Sequence, residues 1–85
     1  MVALDVLGRR SALRILWELR DEALTFRDLV AACETNPGTL NTRLKELREL
    51  EIVEHEGGYR LTAHGRALVV ALAPLQAWAE SWAAN

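Results

Sequence analysis

Cysteine is almost missing from this chain. Cys33 stands alone among 85 residues, which excludes an intrachain disulfide and fits a reducing cytosol. The two histidines, His55 and His64, sit at no metal-ligand spacing from Cys33 or from each other, so no metal and no cofactor is expected. Serine is scarce as well: Ser11 and Ser81 have no nearby histidine and acid to activate them, and no enzyme activity is expected. A glycine-rich phosphate loop is absent, the pair Gly57-Gly58 being better explained as a turn. No charged head precedes a long apolar run at the N-terminus. The apolar run that starts at Ala67 is far shorter than the roughly 20 residues needed to cross a bilayer, so no membrane association is expected. A basic excess is lacking too. The formal net charge of −2 counts against high-affinity, non-specific nucleic-acid binding, although local charge matters more than the sum.

What is present is apolar surface. Hydrophobic residues make up 51% of the chain and include three tryptophans. A single domain of this length lies near the lower end of what folds alone, and so apolar a chain is expected to bury part of its surface against a second copy.

The stretch 36–51 organises the rest. Asn36 has the side-chain oxygen of a helix cap, and Pro37 fits the first helical position, where a missing N–H costs nothing. Leu40, Leu44 and Leu47 then recur at helical spacing and face a core. Gly38, Asn41, Thr42, Lys45 and Glu49 fall on the opposite side. A helix with an apolar back and a small, polar, partly positive front suits the floor of a DNA major groove. Taken alone, the segment is equally well an amphipathic surface helix.

Its neighbours favour the first reading. A first helix is predicted over 9–22, with Ala12, Ile15, Leu16 and Leu19 on one face and Arg9, Arg10, Arg14, Glu18 and Arg20 mostly solvated. Trp17 flanks that face as core or as a subunit contact. Thr25 opens a second helix with Asp28 at capping-box spacing, and Phe26, Leu29, Val30 and Cys33 share its buried side. Cys33 therefore reads as a small core hydrophobe. Two short helices joined by a tight turn over 25–50 form a helix-turn-helix. A hairpin over 52–62 follows, with Gly57-Gly58 as a two-residue turn, in the place of a wing. Glu54 and Glu56 would oppose its deep insertion into a groove, while Arg60 could approach a phosphate. Equally, the hairpin closes the core and does no more.

Thr62 is placed to cap a last helix over 63–84. Leu61, Gly65, Leu68, Leu72, Leu75, Ala79 and Trp82 form a near-heptad seam along it, widened by Val69 and Trp78. Pro74 should kink it. A helix this apolar exceeds what a small core covers, which points to pairing with its twin or to folding back on its own domain. The fold class expected is mostly α with a small β-hairpin: a winged helix-turn-helix with a long C-terminal dimerisation helix.

From Leu4 onward the chain resembles the HxlR-type winged helix-turn-helix regulators, close to the MarR-like group. The matching runs are ALDVLG, ILWEL, LTFRDLV, TLNTRLKELRELEIVE, LTAHGRAL and QAWAE, each weak alone but specific in order and spacing. The resemblance implies a bacterial, homodimeric transcription regulator that binds double-stranded DNA. It implies DNA contacts from Thr39, Asn41, Thr42, Arg43 and Lys45, with Arg27 near the second helix start and Arg60 on the wing. Arg43 borders the core face, so a phosphate contact or an internal ion pair suits it better than a base contact. The N-terminal and C-terminal helices would build the dimer, through Leu4, Leu7, Trp17, Leu72, Leu75, Trp78 and Trp82. The chain departs from the family in four places. Arg9-Arg10-Ser11 replaces the usual Gly-Lys-Trp, and the N-terminal cysteine that some members use for sensing is missing. Glu51 replaces the usual glycine after the recognition helix, and the wing is shortened. The net acidity and the acidic wing keep a second expectation open: a protein-interaction and dimerisation module without strong DNA binding. The sequence assigns no small-molecule effector.

Overall fold

The computed structural model describes residues 10–84. In chain order the elements are α1 (Arg10–Glu18), α2 (Phe26–Cys33), α3 (Pro37–Glu49), β1 (Val53–His55), β2 (Tyr59–Leu61) and α4 (Ala63–Ala84). Short-range chemistry fixes three of the helix starts. The Thr25 hydroxyl accepts the Asp28 N–H at 3.1 Å, and Asn36 Oδ1 accepts the Thr39 N–H at 2.8 Å with Pro37 at the head of α3. Thr62 does the same for α4, accepting the Gly65 N–H at 3.0 Å while its hydroxyl donates to the Glu51 carbonyl at 2.6 Å. One core joins the elements: Ala12, Ile15 and Leu16 of α1 and the adjoining Leu19, Leu29 of α2, the leucine back of α3, and Ile52, Val53, Tyr59 and Leu61.

The first helix ends earlier than the predicted 9–22. Beyond Glu18 the Leu19 N–H still reaches Ile15, but the Arg20 N–H reaches back only three residues, to the Trp17 carbonyl at 3.3 Å. The Arg20 guanidinium also donates to that carbonyl at 2.7 Å and lies 3.9 Å from the centre of the Trp17 ring. The chain must turn here because Leu24 pairs with Tyr59. The Leu24 N–H donates to the Tyr59 carbonyl at 2.9 Å and the Tyr59 N–H to the Leu24 carbonyl at 2.7 Å. The hairpin thus gains a third strand-like edge that the sequence reading leaves as a brief connection.

The wing turn differs as well. His55 pairs with Tyr59, leaving Glu56, Gly57 and Gly58 as a three-residue loop in place of the two-glycine turn. Gly57 and Gly58 have φ of 65° and 112°, and the Glu56 N–H closes the loop on the Gly58 carbonyl at 2.8 Å. A side chain at Gly58 would also lie 3.3 Å from the Leu24 carbonyl, so the third edge helps to set the turn.

After α3 the chain reverses through Glu51, which has φ of 59°, a left-handed conformation that suits glycine. The Glu51 N–H still closes on the Arg48 carbonyl at 3.0 Å, so the geometry is held in spite of the side chain. Glu51→Gly is expected to stabilise the protein by up to about 1 kcal/mol, the relief of strain being partly offset by the greater freedom of glycine in the unfolded chain. A urea midpoint that falls instead would show that the Glu51 side chain contributes more than its backbone costs.

The seam predicted along α4 splits in two. Leu61 lies in β2 outside the helix, Gly65 is buried, and Leu68 and Val69 pack against the core. Leu72 is half-buried, whereas Leu75, Trp78 and Trp82 are 61%, 63% and 71% exposed. The helix runs through Pro74 without a break. Pro74 and Val70, whose carbonyl loses its partner, are both exposed, so water can satisfy the freed group. Leu4 and Leu7 lie outside the described residues.

Candidate nucleic-acid interface

The leucine spacing of α3 decides which side chains can meet a ligand. With Leu40, Leu44 and Leu47 buried, Gly38, Asn41, Thr42, Lys45 and Glu49 all point to solvent. The Thr42 hydroxyl donates to the Gly38 carbonyl at 3.1 Å, which settles its rotamer and leaves its oxygen free to accept. Asn41 and Lys45 have no hydrogen bond or ion pair among the described residues. An exposed amide and ammonium one helical turn apart can therefore both be offered outward. Thr39 is half-buried in the first turn.

Arg43 is held within its own helix. It is tied to Glu46 through Nη1, at 2.7 Å and 2.6 Å from the two carboxylate oxygens, with only 14% of its side chain exposed. The cause is position: three residues before Glu46 and at the edge of the core face, its guanidinium finds a carboxylate on its own helix. Of the two alternatives for Arg43, the internal ion pair is the one formed. Arg27, at the second position of α2, is exposed and without a partner among the described residues. Arg60 lies across the hairpin from Glu54 and curls back to donate to the Glu56 carbonyl at 2.8 Å. His55 is stacked on Tyr59 with ring centres 4.0 Å apart, stiffening the wing near its turn.

An open cleft of about 710 Å³ runs between the end of α3, the wing and the start of α4. Lys45 and Arg48 share it with Glu49, Glu51 and Glu54, and His55 and His64 line it too. Arg48 and His64 are missing from the sequence-derived site. Arg48 follows Lys45 by three residues and was open to inference from helical spacing, whereas His64 joins only through the fold.

Other chemistry is sparse among the described residues. No group of three or more His, Cys, Asp or Glu side chains could hold a metal ion, and no helix is long and apolar enough to cross a membrane. Burial and, less strongly, the nearby Glu18 carboxylate push the Cys33 thiol up from its ordinary value, partly countered by Arg14. Little reactive thiolate is therefore present at neutral pH.

A helix-turn-helix with a leucine-backed second helix, a hairpin and a long terminal helix is the architecture of winged helix-turn-helix regulators. Residues 6–85 match the HxlR-like helix-turn-helix family. The chain belongs to that family. YodB from B. subtilis, solved with quinone bound, is similar at 34% identity over 93% of this chain and 92% of its own, with a TM-score of 0.84. A transcriptional regulator of the MarR family from Enterococcus faecalis is 28% identical, covering 95% of this chain and 82% of its own, with a TM-score of 0.84. An HxlR-family transcription factor from Thermoplasma volcanium shares the fold, with a TM-score of 0.87 at 24% identity, over 98% of this chain and 83% of its own. No curated protein sequence matches significantly. As an HxlR-like protein with this architecture, the chain is a winged helix-turn-helix transcriptional regulator.

Proposed function

We propose that this HxlR-like protein binds duplex DNA as a homodimer at a pseudo-palindromic site, with α3 in the major groove. The observation that carries the reading is the outward face of α3, where Asn41 and Lys45 stand exposed and unpaired opposite three buried leucines. Asn41 has the paired donor and acceptor that match an adenine edge, Lys45 can reach guanine acceptors, and Thr42 can accept from a base amine. Thr39, Arg27 and Arg60 would contact phosphates and set register. Arg43 would act mainly through Glu46, holding the rim of the helix, and would meet a phosphate only if that pair opens. Leu72, Leu75, Trp78 and Trp82 would form the dimer contact, with Trp17, Leu4 and Leu7 joining from the N-terminal part of the chain. The quinone held by YodB is not carried over to this chain.

A salt titration tests the reading. Affinity for random duplex should fall linearly on a log–log plot as salt rises, and Lys45→Ala should weaken binding to the preferred site by about tenfold or more while leaving thermal stability unchanged. Unchanged affinity would remove Lys45 from the interface. A second reading, a dimeric protein-interaction module, is favoured by the three carboxylates that share the cleft with Lys45 and Arg48. It would be supported by a lack of binding to random duplex even at low salt.

A further inference from the structure

Arg20 and Arg66, which this reading leaves unused, lie beside Arg60 on the other flank of the wing. Arg20 after α1, Arg60 of β2 and Arg66 of α4 line one open cleft of about 230 Å³, floored by Leu61. These residues come from three separate parts of the chain, and the fold alone brings them together. Each guanidinium is held by a backbone carbonyl: Arg20 by Trp17 at 2.7 Å, Arg60 by Glu56 at 2.8 Å, and Arg66 by Leu61 at 3.0 Å. Stacking on Trp17 further fixes Arg20. A carbonyl orients a guanidinium without neutralising it and leaves most of its five N–H donors free. Only Arg20 has a carboxylate partner, Asp21 at 3.4 Å; Arg60 and Arg66 form no ion pair among the described residues. Asp21 and Glu22 are the acidic groups lining the cleft, and Glu54 stands across the hairpin from Arg60, so the site rests on the free, oriented donors of Arg60 and Arg66 and not on a surplus of charge.

We propose that this cleft is a binding site for a phosphate group, with Arg60 and Arg66 as its main ligands and Arg20 closing one side. Pre-oriented guanidinium forks match tetrahedral phosphate oxygens in a way that a flexible lysine does not. The backbone of a bound duplex and a free phosphate ester offer the same chemistry of recognition, and duplex affinity tells them apart.

Inorganic phosphate, titrated against sodium chloride at matched ionic strength, tests the site. At a concentration equal to its dissociation constant it should raise the Tm of the wild-type protein by about 2–3 °C. Arg66→Gln and Arg60→Gln, checked for native circular dichroism, should each abolish that rise. Duplex affinity then separates the sources. If Arg66→Gln also weakens DNA binding and lowers the log–log salt slope by about 1, the ligand is the duplex backbone. If DNA binding is unchanged while the phosphate response is lost, the ligand is a free anion. The proposal is overturned if phosphate has no effect beyond ionic strength, or if both variants respond as the wild type does. A protein that responds to phosphate in this way but binds no DNA would refute the duplex-binding reading and leave this site standing.

Discussion

Gly65→Ala is expected to destabilise the protein by about 3 kcal/mol or more and to lower Tm by more than about 10 °C. A Cβ placed on Gly65 would lie 2.1 Å from the Ile52 carbonyl oxygen and 3.2 Å from a Leu61 methyl. The first contact is with backbone and cannot be relieved by turning a side chain. That carbonyl also accepts the Thr62 N–H at 3.0 Å, so moving it away breaks the junction between wing and terminal helix. The helical glycine is thus needed for close approach. Thermal or urea unfolding of the variant checks this, and a loss below about 1 kcal/mol would mean that α4 can slide without cost.

Replacing Trp78 and Trp82 together by glutamate should produce the largest change in association. The two rings are stacked 6.4 Å apart on the exposed half of α4. If that half is the dimer surface, each tryptophan has the character of a binding hot spot, worth about 2 kcal/mol or more. The double variant should dissociate at least about 10³-fold more readily, and run as a monomer by light scattering at micromolar concentration. Because both rings are exposed in the protomer, its helical content should be retained. Its affinity for a two-half-site duplex should fall as well, since the halves no longer bind as one unit. A double variant that remains dimeric would place the subunit contact elsewhere.

Much of this protein is legible from local sequence because much of it is determined locally. Thr25, Asn36 and Thr62 each cap a helix by bonding to an N–H three residues on, and the leucines of α3 bury themselves through a spacing visible in the chain. The outward face of α3 follows from the same spacing. Features set by distant partners are not legible in this way. The early end of α1 depends on Leu24 meeting Tyr59, and the three-residue wing turn depends on the same pairing. Arg20, Asp21 and Glu22 look alike in a helix and in a solvated bend, so periodicity carries past the true end. The heptad seam fails over its first turns for a related reason: Leu61 and Gly65 obey the spacing while serving a strand and a close contact. Arg43 shows how far the site itself can be read, since its place at the border of the core face leaves a phosphate contact and an internal ion pair open, and only the fold shows the pair with Glu46 formed.

The reciprocal pair of hydrogen bonds between Leu24 and Tyr59 has a consequence for dynamics. They join Leu24, two residues before α2, to Tyr59 just after the wing turn, so α2, α3 and β1 are enclosed in a ring closed by main chain. Motions that would let the hairpin swing independently must first open that ring. The Leu24 and Tyr59 amides should therefore exchange with deuterium as slowly as those in the middle of α3, and only when the whole protomer unfolds.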